Sequence, residues 1–354
     1  MAKALSDIRR KIDALDARLV GLLSARARLA QQAWQAKGSA AAYKPEREAQ
    51  VLRRVRELNR GPLSAAALTR LFTEIMSACR ALEDQLAVAY LGPEGTFSQE
   101  AVVKHFGSAT GSQPHGTIDE VFRAVETGAA GYGVVPVENS TEGAVGRTLD
   151  LLLNTSARIC GEVMLPVRQN LMSVAKRRSD IRTVYSHTQS LAQCQQWLSR
   201  QLPDAERVAV VSNAEAARLA SRDRRSAAIA SRTAATLYGL QVLARNIEDD
   251  PKNTTRFAVI GMEEVLPSGR DKTSLILSTR NVPGAVHDLL TPLARHGVSM
   301  TRLESRPART GRWEYVFYID IEGHQQELRV AKALAALGRK AAFVKVLGSY
   351  PAAV

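Results

Sequence analysis

The feature that most limits what this chain can become is its opening segment. From Ser6 to Lys37 apolar side chains recur at helical spacing, Ile8, Ile12, Leu15, Leu19, Leu22, Leu29 and Ala33, and no proline interrupts them. At 1.5 Å per residue such a helix is a rod of roughly 48 Å. The two shorter helical runs that follow cannot cover a stripe of that length. A second copy of the chain is the natural cover, so a homodimer or higher homo-oligomer is expected.

One position breaks the stripe. Arg26 falls between Leu22 and Leu29, where the period demands an apolar residue. A buried guanidinium must find an anion, because leaving it unpaired costs several kcal/mol. Two carboxylates share the anomaly. After Pro45, Glu48 shares a helical face with Val51, Val55 and Leu58, and Glu83 shares one with Phe72, Met76 and Cys79. Gly61-Pro62 separates these two helices. Any one such residue is read most simply as half of a structural ion pair. Three of them, with Lys37 and Arg47 close by, are better explained by an internal site for a polar ligand.

A chain of 354 residues exceeds one typical core, and two or three domains are expected. The boundaries are placed at 1–86, 87–265 and 266–354. Cys79, Cys160 and Cys194 lack paired spacing, so neither a disulfide framework nor a metal site is expected, and a reducing cytoplasm is the natural compartment. No apolar run has the length of a signal peptide or a membrane span. The net charge of +13 is uneven: 16 Lys and Arg against 9 Asp and Glu in the first segment, 19 against 19 in the second, 13 against 7 in the third. Neither basic end has the aromatic interleaving of a nucleic-acid face, so no nucleic-acid partner is expected. The basic first segment suits a small polyanion.

The middle segment alternates strands and helices. Strands are predicted at Val88–Gly92, Gly131–Val137 with a break at Pro136, Ile159–Val167, Leu171–Ala175, Thr183–Tyr185, Val208–Val211, Ala227–Ala230 and Phe257–Gly261. Helices are predicted at Gln189–Arg200, Asn213–Ser221 and Thr233–Tyr238, with Thr117 and Glu120 capping another. Such alternation implies mainly parallel sheets wrapped on both faces. The pattern falls into two halves. The second lobe begins after Gln169 and returns near Asp250, which puts the polar stretch Asn253-Thr254-Thr255 at the hinge. No glycine-rich turn has dinucleotide or P-loop spacing, and no cofactor is expected.

Several stretches carry a resemblance. Ile8-Arg9-Arg10-Lys11-Ile12, Leu15-Asp16, Leu22-Leu23, Arg26, Lys37 and Arg47-Glu48 are similar to the all-α chorismate mutase domain, in which two intertwined chains share each site. The resemblance implies that Arg26 and Arg47 hold the carboxylates of chorismate, with Arg9 supplied by the partner chain. It also implies that Lys37 donates to the ether oxygen, and that Glu48 holds the ring hydroxyl. Cys79 and Glu83 stand where serine and glutamine are usual. A carboxylate at Glu83 would repel the charge developing on the ether oxygen, whereas a protonated one would donate to it, so mutase activity is expected to fall as pH rises.

Leu91 to Ser98, Val135 to Thr141, Tyr185-Ser186-His187 with Gln189 and Gln193, and Asn253 to Phe257 resemble a prephenate dehydratase domain, α/β and two-lobed like a periplasmic binding protein. That implies Thr255 as the catalytic group beside the leaving hydroxyl, and Asn139, Ser186 and Gln193 as substrate ligands. Thr96, Ser98, Thr141 and Arg256 are further candidates. Arogenate is the nearest alternative substrate, and a dehydratase carrying a degenerate mutase domain the nearest alternative enzyme.

Residues 273–348 read as strand, helix, strand, strand, helix, strand, a ferredoxin-like α+β layer. Asn281 to Val286 and Glu304-Ser305-Arg306-Pro307 resemble the amino-acid-binding motifs of ACT domains. The resemblance implies phenylalanine as an inhibitory effector, held by Gly284, Ala285, Val286, Glu304, Ser305 and Arg306.

Overall fold

The structure, a computed structural model, describes residues 2–37, 43–83, 86–279, 282–307 and 315–353. Helix α1 (Ala2–Lys37) is one unbroken rod. α2 (Pro45–Leu58) opens on proline at the first turn, where no N–H is needed. α3 (Ala65–Arg80) opens at Ser64, whose hydroxyl accepts from the Ala67 N–H at 3.2 Å. Both α1 and α2 pack against α3. The stripe of α1 remains in solvent, from Ile12 at 50 % exposed to Leu22 at 65 %.

α3 buries two faces. Met76 and Cys79 face the other helices, while Thr73, Ser77 and Arg80 face the following domain. There Gly107 has a positive φ of 81°, and a Cβ on it would lie 2.4 Å from that of Ser77. The Glu74 carboxylate accepts from the Ser108 N–H at 3.1 Å, and Ser77 Oγ accepts from the Ala109 N–H at 3.2 Å.

The first lobe of the middle region comprises β1 (Ala87–Leu91), α4 (Phe97–Phe106), β2 (Gly111–His115), α5 (Ile118–Glu126), β3 (Tyr132–Asn139), β4 (Gly143–Ala144), α6 (Gly146–Asn154) and β5 (Arg158–Pro166). The second comprises β6 (Asn170–Ser173), β7 (Thr183–His187), α7 (Thr188–Gln193), α8 (Gln195–Gln201), β8 (Glu206–Val210), α9 (Asn213–Ala220), β9 (Ser226–Ala230), α10 (Arg232–Leu237) and β10 (Gln241–Ala244). The chain then returns to the first lobe as β11 (Thr254–Gly261). The sheet orders are β2-β1-β3-β11-β5 and β10-β6-β9-β7-β8. The two crossings run side by side: Val167 N–H donates to the Asn253 carbonyl and Ile247 N–H to the Gln169 carbonyl, each at 2.9 Å. Thr255 therefore sits at the hinge.

The sequence reading needs four corrections here. The sheets are mixed rather than mainly parallel, since β11 is antiparallel to β3 and β5, and β6 is antiparallel to β9 and β10. Two strands that meet one hinge, one leaving and one entering, must run in opposite directions. β11 begins at Thr254 rather than Phe257, because its polar residues pair on both sides, Thr255 with Asn139 and with Leu165. Pro136 does not end β3. The register shifts there, with Phe257 opposite Pro136 and Arg256 opposite Glu138, so a bulge at Val137 accommodates the missing donor. Finally, the helix expected over 189–200 is divided at Cys194.

The last region is β12 (Asp271–Ser278), α11 (Ala285–Arg295), β13 (Met300–Pro307), β14 (Tyr315–Glu322), α12 (Leu328–Gly338) and β15 (Phe343–Pro351), an antiparallel sheet of order β13-β14-β12-β15. Strand alternation sorts its two faces. Leu275, Leu277 and Ile319 pack under α11 and α12, while Ile276, Tyr318, Leu347 and Tyr350 pack on Leu149, Leu152 and Ile159 of the first lobe. No described helix is long and apolar enough to cross a membrane.

Candidate active sites

Among α1, α2 and α3 lies a pocket of about 240 Å³ lined by Arg26, Trp34, Lys44, Arg47, Glu48, Cys79, Arg80 and Glu83. Arg26, Arg47, Glu48, Cys79 and Glu83 are thus brought together. Glu83 reaches the pocket from the turn after α3, its N–H bonded to the Arg80 carbonyl at 2.8 Å. Arg26 Nη1 lies 3.0 Å from Cys79 Sγ. Arg9 is exposed 17 positions before Arg26, roughly 25 Å up the rod, and lies away from this pocket. The Lys37 side chain lies outside the described residues.

Arg80 is the residue the sequence reading missed. It ion-pairs with Glu48, donates to the Phe106 carbonyl and lies over the Tyr43 ring, 5.4 Å from its centroid. Glu48 therefore meets a guanidinium from within its own bundle. Burial raises its pKa, and Arg80 and Arg26 pull in the opposite direction. The pocket is a set of cations facing two carboxyl side chains, the complement of a small dianion with a hydroxyl.

The second site is the cleft between the lobes, about 310 Å³, lined by Thr96, Ser98, Asn139, Gln169, His187, Gln189, Ser190, Gln193, Asn213 and Thr255 among others. Asn139 anchors it. Its Oδ1 accepts from Thr141 N–H at 3.0 Å, Thr141 Oγ1 at 2.6 Å and Glu142 N–H at 3.2 Å, which fixes the amide orientation. Its Nδ2 then donates to Asn253 Oδ1 at 2.9 Å and to Thr255 Oγ1 at 2.8 Å. Because that hydroxyl accepts from Asn139, its own proton is left for the cleft. Gln193 Nε2 reaches Thr141 Oγ1 across the cleft at 3.4 Å. Among the described residues, two buried polar atoms here, Gln169 Oε1 and Asn253 Nδ2, have no hydrogen-bond partner.

Among the described residues no lysine or arginine lines this cleft. The N-termini of two helices, α4 after Thr96 and α9 after Ser212, line it instead. Two expected ligands lie elsewhere. Ser186 is buried behind the wall, donating to the Ile229 carbonyl at 2.8 Å and lying 2.9 Å from Asn213 Oδ1, so it orients Asn213. Arg256, next to Thr255, turns to the opposite face of the sheet, as strand alternation dictates, and pairs with Glu162 and Asp320. Gln169, Ser190 and Asn213 are the cleft residues the sequence reading did not single out; the hinge position of Gln169 and the Ser-Asn helix start at 212–213 were the available signals.

In the last region Gly284 takes φ of 79° at the start of α11, with Ala285 and Val286 in the first turn. Ser278 and Arg306 both stand opposite Val316, so this turn and the 304–306 segment share one end of the sheet. Ser305 is exposed and Glu304 partly so. Arg306, in contrast, faces the dehydratase-like domain, its Nη2 3.2 Å from Asp150 Oδ1. Asn281 lies outside the described residues.

A cation-lined helical pocket, an uncharged cleft between two α/β lobes and a docked α+β layer together define a three-domain enzyme for small anionic substrates. The chorismate mutase type II model matches residues 8–84, the prephenate dehydratase model residues 88–265 and the ACT domain model residues 273–339. A bifunctional chorismate mutase/prephenate dehydratase of Stutzerimonas stutzeri is 53 % identical, covering 100 % of this chain and 99 % of its own. That of Neisseria gonorrhoeae is 54 % identical over 98 % and 96 %. The prephenate dehydratase of Arthrobacter aurescens, solved in complex with L-Phe, superposes with a TM-score of 0.70 at 34 % identity, over 75 % of this chain and 90 % of that one. The chain belongs to the bifunctional chorismate mutase/prephenate dehydratases of phenylalanine biosynthesis.

Proposed function

We propose that this chain converts chorismate to prephenate in the helical pocket and prephenate to phenylpyruvate in the cleft. In the first step no covalent intermediate is required. Arg26 and Arg47 hold the two carboxylates in the reactive geometry, Glu48 accepts from the ring hydroxyl, and Lys37 with Glu83 stabilises the ether oxygen as its bond breaks. The exposed stripe of α1 and the remote position of Arg9 support a shared site in a homodimer.

In the second step the bond to the departing carboxylate breaks and releases carbon dioxide. Its electron pair completes the aromatic ring while the ring hydroxyl takes a proton and leaves as water. The Thr255 hydroxyl, held as an acceptor by Asn139 at 2.8 Å, relays a proton to that leaving oxygen and regains one from solvent, so that water leaves and the threonine stays neutral. This single contact carries the reading. Gln193, Thr96 and Ser98 position the substrate, Asn139 and Thr141 hold that wall and the Thr255 hydroxyl in place, and the termini of α4 and α9 meet its carboxylates. Thr255→Val keeps the volume and removes the hydroxyl. It is expected to lower dehydration by ~10²–10⁴-fold while chorismate is still consumed at the normal rate. Near-normal dehydration would remove Thr255 from the mechanism.

The C-terminal layer is assigned to phenylalanine, bound at the turn around Gly284 and at Glu304 and Ser305 of paired ACT domains, with Arg306 excluded by its pairing to Asp150. The support is the shared end of the sheet and the L-Phe complex of the Arthrobacter enzyme. Suppression of phenylpyruvate formation by phenylalanine is the test.

A further inference from the structure

The two polar groups that meet in the cleft, Asn139 on β3 and Thr255 on β11, stand opposite each other in register. One rung further, Glu138 and Arg256 are also register partners, and their side chains leave by the other face of the sheet. Both end on the C-terminal domain. Arg302 Nε donates to Glu138 Oε2 at 2.7 Å, and Arg256 pairs with Asp320 while its Nη2 donates to Tyr350 Oη at 2.9 Å. Arg302 and Asp320 are in turn register partners on β13 and β14. Three successive pairs, Asn139 with Thr255, Glu138 with Arg256, and Arg302 with Asp320, therefore join the cleft to the C-terminal sheet.

This ladder is more than adhesive. The two domains are already joined by an apolar seam, and by Lys345, whose Nζ caps the end of α6 through the carbonyls of Leu152, Leu153 and Thr155 at 3.0, 3.0 and 2.6 Å. The Arg256 rung is buried and balanced. Glu162 accepts from Arg256 Nε at 3.0 Å and from Lys272 Nζ at 2.8 Å, and its side chain is 1 % exposed. Burial pulls the Arg256 pKa down, but Tyr350, Asp320 and Glu162 outweigh it, so the guanidinium stays charged. The bulge at Val137 falls between Pro136 and Glu138, beside these rungs, where a strand can re-aim its side chains most easily.

We infer that Glu138 and Arg256, tied to Arg302 and Asp320, are positioning residues for dehydration, so that the docked C-terminal domain sets the placement of Asn139 and Thr255. The inference rests on the reading of Thr255 and Asn139 as dehydratase groups. A displacement of the C-terminal sheet pulls on Glu138 and Arg256 and is felt one residue away, in the cleft.

The test uses the full-length enzyme with Glu138→Gln, Arg302→Gln, the double variant of these two, and Asp320→Asn. The Glu138 side chain is 39 % exposed and Arg302 only 12 %, so Glu138→Gln is the variant expected to fold without penalty and thermal stability is measured for all four. Each single variant of that rung should lower the kcat of dehydration roughly tenfold with KM within about twofold, mutase turnover unchanged, and the double variant no worse than either single one. Asp320→Asn should lower kcat further in whatever enzyme folds. Unchanged kcat in both single variants would overturn the inference, as would losses that multiply in the double variant or that follow thermal stability with mutase falling in parallel. Thr255→Val, measured alongside, separates the two ideas: if it turns over normally, the assignment of the cleft chemistry has failed rather than the ladder.

Discussion

Arg80 shows how much one side chain can decide. It sits one residue beyond Cys79, on the face of α3 that docks against the dehydratase domain, yet it also pairs with Glu48 inside the mutase pocket. Glu48 is pushed up by burial and pulled down by Arg80 and Arg26, and in its proposed role it accepts best from the chorismate hydroxyl when ionised. Below its raised pKa the carboxyl is protonated and that contact weakens. Arg80→Gln removes a positive charge that holds the pKa down, so the acid limb of the mutase pH profile should move to higher pH. An unmoved limb would show that Arg80 is only a docking contact. Glu83→Gln makes a separate demand: an amide donates at any pH, so the variant's mutase rate should hold at high pH, and a variant that loses rate there would remove Glu83 from the ether-oxygen contact. Such residues separate what the sequence tells from what it hides. Arg26 and Glu48 were legible because each breaks an apolar stripe; Arg80 was not, because helical periodicity read for one buried face overlooks the second. Arg256 beside Thr255 shows the same limit in a strand, where a motif binds neighbours together that the fold sends to opposite faces.

Elements were legible in proportion to how far burial constrains their sequence. α1, the strands 227–230 and 257–261, and the six elements of the C-terminal layer announce themselves through apolar period. β2 does not. Its sequence Gly-Ser-Gln-Pro-His has no apolar face, and an edge strand paired only with β1 needs none. The edge strand β10 escaped for a different reason: its four residues, Gln-Val-Leu-Ala, are too few to show a period. The bulge in β3 was invisible because proline signals a break, while register against β11 exists only in the folded chain. α1 carries its own prediction. With Leu19 54 % exposed, Leu19→Asp should leave the single chain folded but place a charge in the stripe that a second copy must cover. Light scattering should report a smaller particle, with mutase lost and dehydratase kept. An unchanged assembly with full mutase activity would mean that α1 is not the interface.

At the scale of the molecule, the mutase helices and the C-terminal sheet both dock on the dehydratase domain, and α2 also meets the C-terminal domain, Arg53 Nη1 lying 3.4 Å from Ser268 Oγ. The mutase helix α3 docks through Ser77 and Arg80 on the end of α4, whose other end opens into the cleft. The C-terminal sheet docks on the strands that carry Asn139 and Thr255. Domain order and fold class followed from the sequence, because composition, charge excess and element order change along the chain. The seams did not, since they depend on pairs far apart in sequence, such as Glu138 with Arg302. The most direct measurement supplies the purified enzyme with chorismate alone and follows its loss together with the appearance of phenylpyruvate. Appearance of phenylpyruvate, after a lag while prephenate accumulates, would establish both reactions in one chain. If chorismate persists, Arg26, Glu48 and Glu83 are only ion pairs of a bundle; if prephenate accumulates and goes no further, the contact between Asn139 and Thr255 does not do the chemistry assigned to it.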